Sequence, residues 1–543
     1  MTEPTPPAAN AYDEMPYPGT AQAESHPDRL ATLAFLHGMT PASPDRCRVL
    51  ELGCSDGGNL VPMAYTLPES QFLGLDSSAR EIATGQQRIA NYGLANVALR
   101  QVNILDVGPE LGQFDYILAC GVYSWLPAEV QDKLLQLCQQ LLAPQGVAYV
   151  NYNTYPGWFL RGMARAIMLH HTRNITKPAL RVSESRAVLE FLVQASQAVT
   201  GKFAATETNR GAYSAALQHE NAVLKANTDT YIYHEHLEAH NEPLYFHEFV
   251  QRAGHHGLQY LAEAQYPISQ LENLPTEVAD TIRRITSDPI DQEQYIDFVV
   301  SRTFRQTLLC HQEVALRRPL APERLLNLSV ASPVLPESEN PDWQSTADEK
   351  FRSPRGVKLT AGNPVAKTAL LLLSQRWPQA VPFDELLAQA RARLRPDAPA
   401  VYSAERLARD AQGVSEMLLR AFGSELVELH VCPSRFVTQI SPRPEVSRVA
   451  RDLARSTHTV INLRHETVNV EDEVTYRLLP LLDGQHDRAA LLDQMVQMAQ
   501  SGQLIAQGED GRPYKDSAKI EQSLAAAIDR ALRQLANAAL LVA

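Results

Sequence analysis

Short apolar runs ending on glycine or a polar residue recur through the first third of the chain: RVLELG (48–53), QFLGLD (71–76), VALRQVN (97–103), FDYILAC (114–120) and GVAYVNYNT (146–154). Helical-period stretches separate several of them, namely NLVPMAYTL, AREIATGQQRIANYG and EVQDKLLQLCQQLLA. Strands alternating with helices at this spacing predict a parallel sheet with right-handed crossovers, an α/β doubly wound domain over 41–160. Ahead of it, HPDRLATLAFLHG (26–38) sets Leu30, Leu33, Ala34 and Leu36 on one helical face. Beyond Trp158 the alternation stops. Residues 161–331 read as a mainly helical domain, with SRAVLEFLVQASQAV and QYIDFVVSRTFRQTLL as examples. The polar, proline-punctuated stretch 332–356 reads as a linker. In 357–543 the helices PVAKTALLLLSQRW, FDELLAQARARL and SAERLARDAQGVSEMLLRAF precede a strand-like ELVELHV (425–431), an order that predicts a winged-helix-like module.

Length and composition agree with this division. At roughly 150 residues per domain, 543 residues accommodate three or four domains. With 45% hydrophobic and 20% charged residues the chain has the make-up of a globular protein. No stretch approaches the roughly 20 apolar residues of a membrane span, so membrane insertion is not expected. The six cysteines show no metal-ligand spacing, and the N-terminus has no export-signal pattern. Both point to free thiols in a reducing compartment, the cytoplasm. The net charge of −13 argues against a dominant phosphate-binding surface. Residues 1–160 carry 7 Lys+Arg and 16 Asp+Glu, leaving 42 and 46 for the rest, so −9 of the −13 lies in the first third. That acidity serves solubility, or attracts a cationic substrate.

The strongest chemistry lies in VLELGCSDGGNL (49–60). A strand delivers Glu51, the chain turns through Gly53, Cys54, Ser55, Asp56 and Gly57, and a helix begins. Glycines serve where the backbone bends tightly and lets a ligand approach. Asp76, at the end of the next run, is placed to accept both hydroxyls of a ribose. Dinucleotide and S-adenosyl-L-methionine (SAM) binding both use such a turn. The carboxylates Glu51 and Asp56 disfavour a pyrophosphate and suit the sulfonium and ammonium of SAM.

With these motifs the sequence resembles the class I SAM-dependent methyltransferases, whose fold is a Rossmann-like doubly wound sheet. The resemblance implies adenine contacts at Asn103 and Ile104, with an amide where the family often has an acid, and matches LLAPQGVAYV (141–150) to the turn into the fifth strand. It also implies that Glu51, Gly53, Cys54, Ser55, Gly57, Asp76 and Cys120 hold the cofactor, with Tyr12 folding over it from the capping segment 1–40. NAYDEMPYP (10–18), GVYSWLP (121–127), NYNTYPGW (151–158), YHEHLEAHNEPLYFHEF (233–249), HTVINLRHE (458–466) and LLDGQHDRAALL (481–492) resemble the narrower group of methyltransferases with a regulatory domain. That group includes the rickettsial-type lysine methyltransferases of outer-membrane protein.

A lysine amine must lose a proton before it accepts a methyl group, its reference pKa being about 10.4. Where many amine and amide methyltransferases carry an [Asp/Asn]-Pro-Pro-aromatic turn, this chain has Cys120-Gly121-Val122-Tyr123, so a planar amide acceptor is disfavoured. Tyr123 is expected on the substrate side, with Asn151 and Asn153 as polar contacts. Tyr12, Tyr17, Trp125, Tyr152, Tyr155 and Trp158 supply aromatic faces for a cation or for packing. His234, His236, His240, His247 and His255-His256 lack a third ligand at metal spacing and read as a polar helix edge beside the cleft, not a metal site. Between 360 and 440 the charges balance, 9 Lys+Arg to 8 Asp+Glu, so protein docking or homodimer formation through the helical or C-terminal domain is favoured over nucleic acid. The expectation is a SAM-dependent methyltransferase acting on lysine of a cationic protein. A small-molecule methyltransferase and a catalytically inactive SAM sensor are the alternatives.

Overall fold

A computed structural model describes residues 14–17, 19–198, 210–394, 403–505, 514 and 516–542. Its centre is a seven-stranded sheet: β1 (Arg48–Leu52), β2 (Gln71–Asp76), β3 (Val97–Gln101), β4 (Phe114–Ala119), β5 (Leu142–Asn153), β6 (Leu258–Glu263) and β7 (Phe304–His311), in the order β3-β2-β1-β4-β5-β7-β6. The first five are parallel, while β7 runs antiparallel to both β5 and β6. Central strands β1 and β4 are buried on both faces because helices cover both, whereas edge strand β3 alternates buried and exposed. All five predicted strands are present. The order reverses between β1 and β4, and the carboxyl ends of those two strands frame a crevice at this switch point.

The helices begin and end where local chemistry dictates. α1 (Pro27–Leu36) starts on proline, with the His26 ring accepting from the Asp28 N–H. α2 (Leu60–Thr66) follows the first turn, and α3 (Ala79–Tyr92) is capped by the Ser78 hydroxyl and closed by Gly93 at φ +69°. α4 (Ala128–Leu141) leads into β5. Four helices, α5 (Trp158–Thr172), α6 (Pro178–Ala198), α7 (Arg210–Ala226) and α8 (Asp229–His236), pack around a small core of their own that includes Ala164, Met168, Leu189 and Leu217. After them come α9 (Phe246–His255), α10 (Thr276–Ile285) and α11 (Pro289–Val300).

The middle region is therefore not only helical: it donates β6 and β7 to the central sheet. QYIDFVVSRTFRQTLL, expected as one helix, is the end of α11, a left-handed residue at Ser301 (φ +52°), and then β7. The apolar pieces within it are too short for periodicity to tell a helix from a buried strand. The expected linker is also structured. β9 (Leu335–Pro336) and β10 (Glu349–Arg352) form a small antiparallel sheet with β11 (Lys358–Ala361), after β8 (Ser329–Ala331). Phe351 is fully buried, and the buried Lys367 ammonium donates to the carbonyls of Asp342, Ser345 and Ala347, which ties the polar stretch down.

The region expected as one winged-helix-like module holds parts of two separate hydrophobic cores. Those at Pro364–Arg376, Phe383–Leu394 and Ala404–Phe422 share one hydrophobic core with α1 and the sheet, and β12 (Val381–Pro382) and β13 (Glu428–His430) flank β8. A separate core lies beyond, from Val446 to Leu541. It is built by the helices Arg448–Leu453, Glu473–Leu478, Arg488–Gln500 and Ser517–Asn537 around the hairpin of β14 (Thr459–Ile461) and β15 (Thr467–Asn469).

Candidate active site

A cavity of about 880 Å³ opens at the carboxyl ends of β1, β2, β4 and β5. Its floor is the turn after β1. Gly53 has φ +77°, and a Cβ there would meet Val122 Cγ1 at 2.3 Å, so both backbone and neighbour demand glycine. Ser55, in the place of a family glycine, also lies in the left-handed region (φ +49°). Its N–H donates to Asp76 Oδ2 (2.9 Å) and its hydroxyl to the carbonyl of Tyr17 (3.1 Å), so the hydroxyl fastens the incoming chain to the turn. Asp76 Oδ1 accepts from the Ser78 N–H at 2.9 Å. These bonds aim the carboxylate at the cavity, and each oxygen can accept more than one hydrogen bond.

Glu51 is buried in the cavity wall. Its Oε1 accepts from Asn59 Nδ2 at 2.9 Å, while Oε2 has no hydrogen-bond partner. Burial pushes its pKa up to about 7, against the opposing pull of the Asn59 amide. A bare, buried carboxylate oxygen in a cleft is unfavourable alone and suited to a cationic group.

Cys54, Asn103, Ile104, Cys120, Asn151 and Asn153 line the same cavity. Asn103 spends its side-chain oxygen on the Leu105 N–H (3.0 Å), and the exposed Asp106 does not reach the cavity. Asn151 accepts from the Gly121 N–H and donates to Gln22 Oε1 (3.1 Å), while Asn153 donates to Asn241 (3.1 Å).

Two expected residues lie elsewhere. Gly57 (φ +71°) packs under Leu99 and Val61, letting α2 approach the sheet, and does not line the cavity. Tyr123 turns inward; its fully buried ring meets Phe249 at 5.3 Å and Tyr152 at 6.2 Å. The aromatic residues that do line the cavity are Tyr17, Trp125, Trp158, Tyr231 and Phe304. Tyr12 lies outside the described residues.

Residues 14–17 and 19–25 strap over this floor. The Gly19 N–H donates to Asp56 Oδ1 (3.1 Å) and the Gln22 N–H to Asn59 Oδ1 (3.0 Å). A Cβ on Gly58 would fall 2.0 Å from the Gly19 carbonyl oxygen. A further wall comes from α5 and α8 through Arg161, Tyr231, His234 and Glu235, and the β14–β15 hairpin region adds Glu466 and Thr467. His234 donates to the Met15 carbonyl (2.6 Å), His236 lies 3.6 Å from Glu220, and His247 bonds Gln294. Among the described residues no three His, Cys, Asp or Glu side chains gather as a metal site. Sequence reasoning missed Gln22, Asn59, Arg161 and Glu466. They come from four distant segments, and no local spacing marks them.

Sheet order, switch-point cavity and acid-lined glycine turn together define a class I SAM-dependent methyltransferase. Three protein families match in chain order: a methyltransferase domain over 50–148, a predicted methyltransferase regulatory domain over 228–311, and the PKMT C-terminal winged helix domain over 442–540. The last coincides with the separate C-terminal core. The chain is 29% identical to uncharacterized protein RP789 of Rickettsia prowazekii across 98% of its length and 94% of the relative's. It is 35% identical to uncharacterized protein RP028 of the same organism over 45% of its length and 93% of the relative's. The structure of PKMT2 from Rickettsia typhi in complex with AdoHcy superposes with a TM-score of 0.82 at 26% identity, covering 97% of this chain and all of that one. The chain belongs to the PKMT-type SAM-dependent methyltransferases. No helix among the described residues is long and apolar enough to cross a membrane.

Proposed function

We propose that the protein is a protein-lysine N-methyltransferase. The observation that carries this reading is the likeness to PKMT2, which covers 97% of this chain and so takes in the middle and C-terminal regions as well as the methyltransferase domain. The −9 charge of residues 1–160 suits a cationic acceptor. Six unpaired cysteines favour a cytoplasmic setting.

SAM, when bound, supplies a methyl group already activated on a sulfonium. In our reading the bare Glu51 oxygen takes the cofactor's ammonium and Asp76 the ribose hydroxyls. Asn103 and Ile104 border the adenine, and Cys54, Ser55 and Cys120 line the path between. Asn151 and Asn153 act on the acceptor side, Asn151 by holding Gln22 and the 121 turn in place. The strap and the α5–α8 wall exclude water and fix the approach of the nucleophile.

Tritiated SAM added with the enzyme to a lysate, followed by separation of protein from small molecules, tests the reading. Label is expected in protein and, after hydrolysis, in methylated lysine. Label confined to metabolites would overturn the protein assignment in favour of small-molecule methylation, and no label in either fraction would favour a SAM sensor.

A further inference from the structure

The wall that α5 and α8 give to the cavity holds a carboxylate that the cofactor does not account for. Glu235 lines the cavity with Tyr17, Trp158 and Tyr231, and it makes no hydrogen bond or ion pair to any described residue. The nearby cations are engaged elsewhere. Arg161 lies 3.6 Å from Glu220 and stacks over Trp158 at 5.4 Å, and Arg165 donates to the carbonyls of His236, Glu238 and Ala239. His234 is bonded to the Met15 carbonyl and lies 3.8 Å from Glu238, and burial lowers the pKa of His236 beside Glu220. A wall of aromatic rings around a carboxylate that no hydrogen bond or ion pair engages is the chemistry that recognises an alkylammonium.

We infer that Glu235, with the rings of Tyr17, Trp158 and Tyr231, forms an alkylammonium subsite that receives the acceptor lysine and takes its proton. The inference rests on the lysine reading above. The proton passes from nitrogen to a Glu235 oxygen. The carboxylate becomes a neutral acid, and the nitrogen regains the lone pair that methyl transfer requires. Burial pushes the Glu235 pKa up to about 7, against the opposing effects of Arg161 and His234, which makes it a better proton acceptor than an exposed glutamate. The other titratable groups facing it are Tyr17 and Tyr231, with Glu220 behind Arg161.

The test uses the full chain with saturating SAM and a methyl acceptor identified by mass spectrometry. In the wild type, kcat/KM for the acceptor is expected to fall below pH 7 as Glu235 takes up a proton. Glu235→Gln should lose that limb and about 100-fold or more in rate, and Glu235→Asp should restore part of both. Without SAM, n-butylammonium should bind the wild type and lose at least about tenfold in affinity in Glu235→Gln, while AdoHcy affinity stays within about twofold. A Glu235→Gln enzyme that keeps the wild-type rate and limb on a lysine acceptor would overturn the subsite. An acceptor that is not an amine would instead overturn the lysine reading, with n-butylammonium binding left to judge the subsite by itself.

Discussion

Glu51 shows how a single side chain can set a binding site against the stability of the fold. Its folded pKa of about 7 lies above the ordinary carboxylate value, so the folded state holds a proton that the unfolded chain releases. Stability contributed by the neutral acid is full below about pH 4.5 and drains away as pH rises toward 7, leaving a charged oxygen with no partner. Glu51→Gln should therefore raise the unfolding midpoint of the ligand-free protein at pH 8 and leave it unchanged at pH 4.5, while weakening SAM binding. Scanning fluorimetry and calorimetry measure the two halves; a variant destabilised at pH 8 would refute the account. Asp76→Ala removes a carboxylate whose oxygens also hold the N–H groups of Ser55 and Ser78. We expect a loss of SAM affinity of at least about tenfold, since a charged hydrogen bond contributes about 1.5–3 kcal/mol; equal affinities by calorimetry would end the ribose assignment. Both acids were legible because a strand-end acid and a glycine turn are local patterns. Tyr123 was misplaced for the complementary reason. The sequence shows an aromatic residue after the fourth strand without showing which way it points, and packing against Phe249 turned it inward.

Elements that carry local alternation were equally legible, and β1 to β5 lie where their apolar runs predict. β7 was not, because its order depends on charges far apart in the chain. The Arg305 guanidinium is fully buried beneath the Phe246 ring, 3.6 Å away, and bonds Asp297 (2.8 and 2.9 Å) and Glu293 (3.0 Å), with Glu263 at 3.2 Å. Asp297 and Glu293 lie on α11 and Glu263 ends β6, so this one cation joins three elements at the sheet's antiparallel edge. No spacing of 263, 293, 297 and 305 announces it. Arg305→Met leaves those carboxylates buried without their cation, and breaking such a network by removing one partner costs about 3–5 kcal/mol. Amide exchange should accordingly rise first along β6 and β7 while β1 to β4 stay protected; uniform loss across the sheet would mean that the network does not act locally.

Across the whole molecule, polar contacts join the C-terminal domain to the rest of the chain, one of them through the cavity-lining Asn59. His465, in the left-handed region, donates to Asn59 Oδ1 (2.9 Å), the same amide that supports Glu51 and holds Gln22. Tyr92 bonds Asp452 (3.0 Å), and Arg464 bonds Glu428 (2.6 Å). Next to Glu428, His430 pairs with Asp28 of α1 at 2.7 Å. Burial opposes protonation of His430, but the Asp28 and Glu428 carboxylates outweigh it and lift the pKa to about 9. A folded pKa above the unfolded value of about 6.5 means that the stabilisation is complete below pH 6.5 and is lost as pH rises through 9. The contact lies between α1, beside the strap, and a strand that leads toward the C-terminal domain, so its loss should loosen the join before the sheet melts. Limited trypsin digestion is expected to release a C-terminal fragment faster at pH 9.5 than at pH 7. His430→Asn should be cleaved at the faster rate at both pH values, once the protease's own pH dependence is divided out with an unstructured peptide. Parallel pH profiles for wild type and variant would mean that the imidazolium does not hold the two parts together.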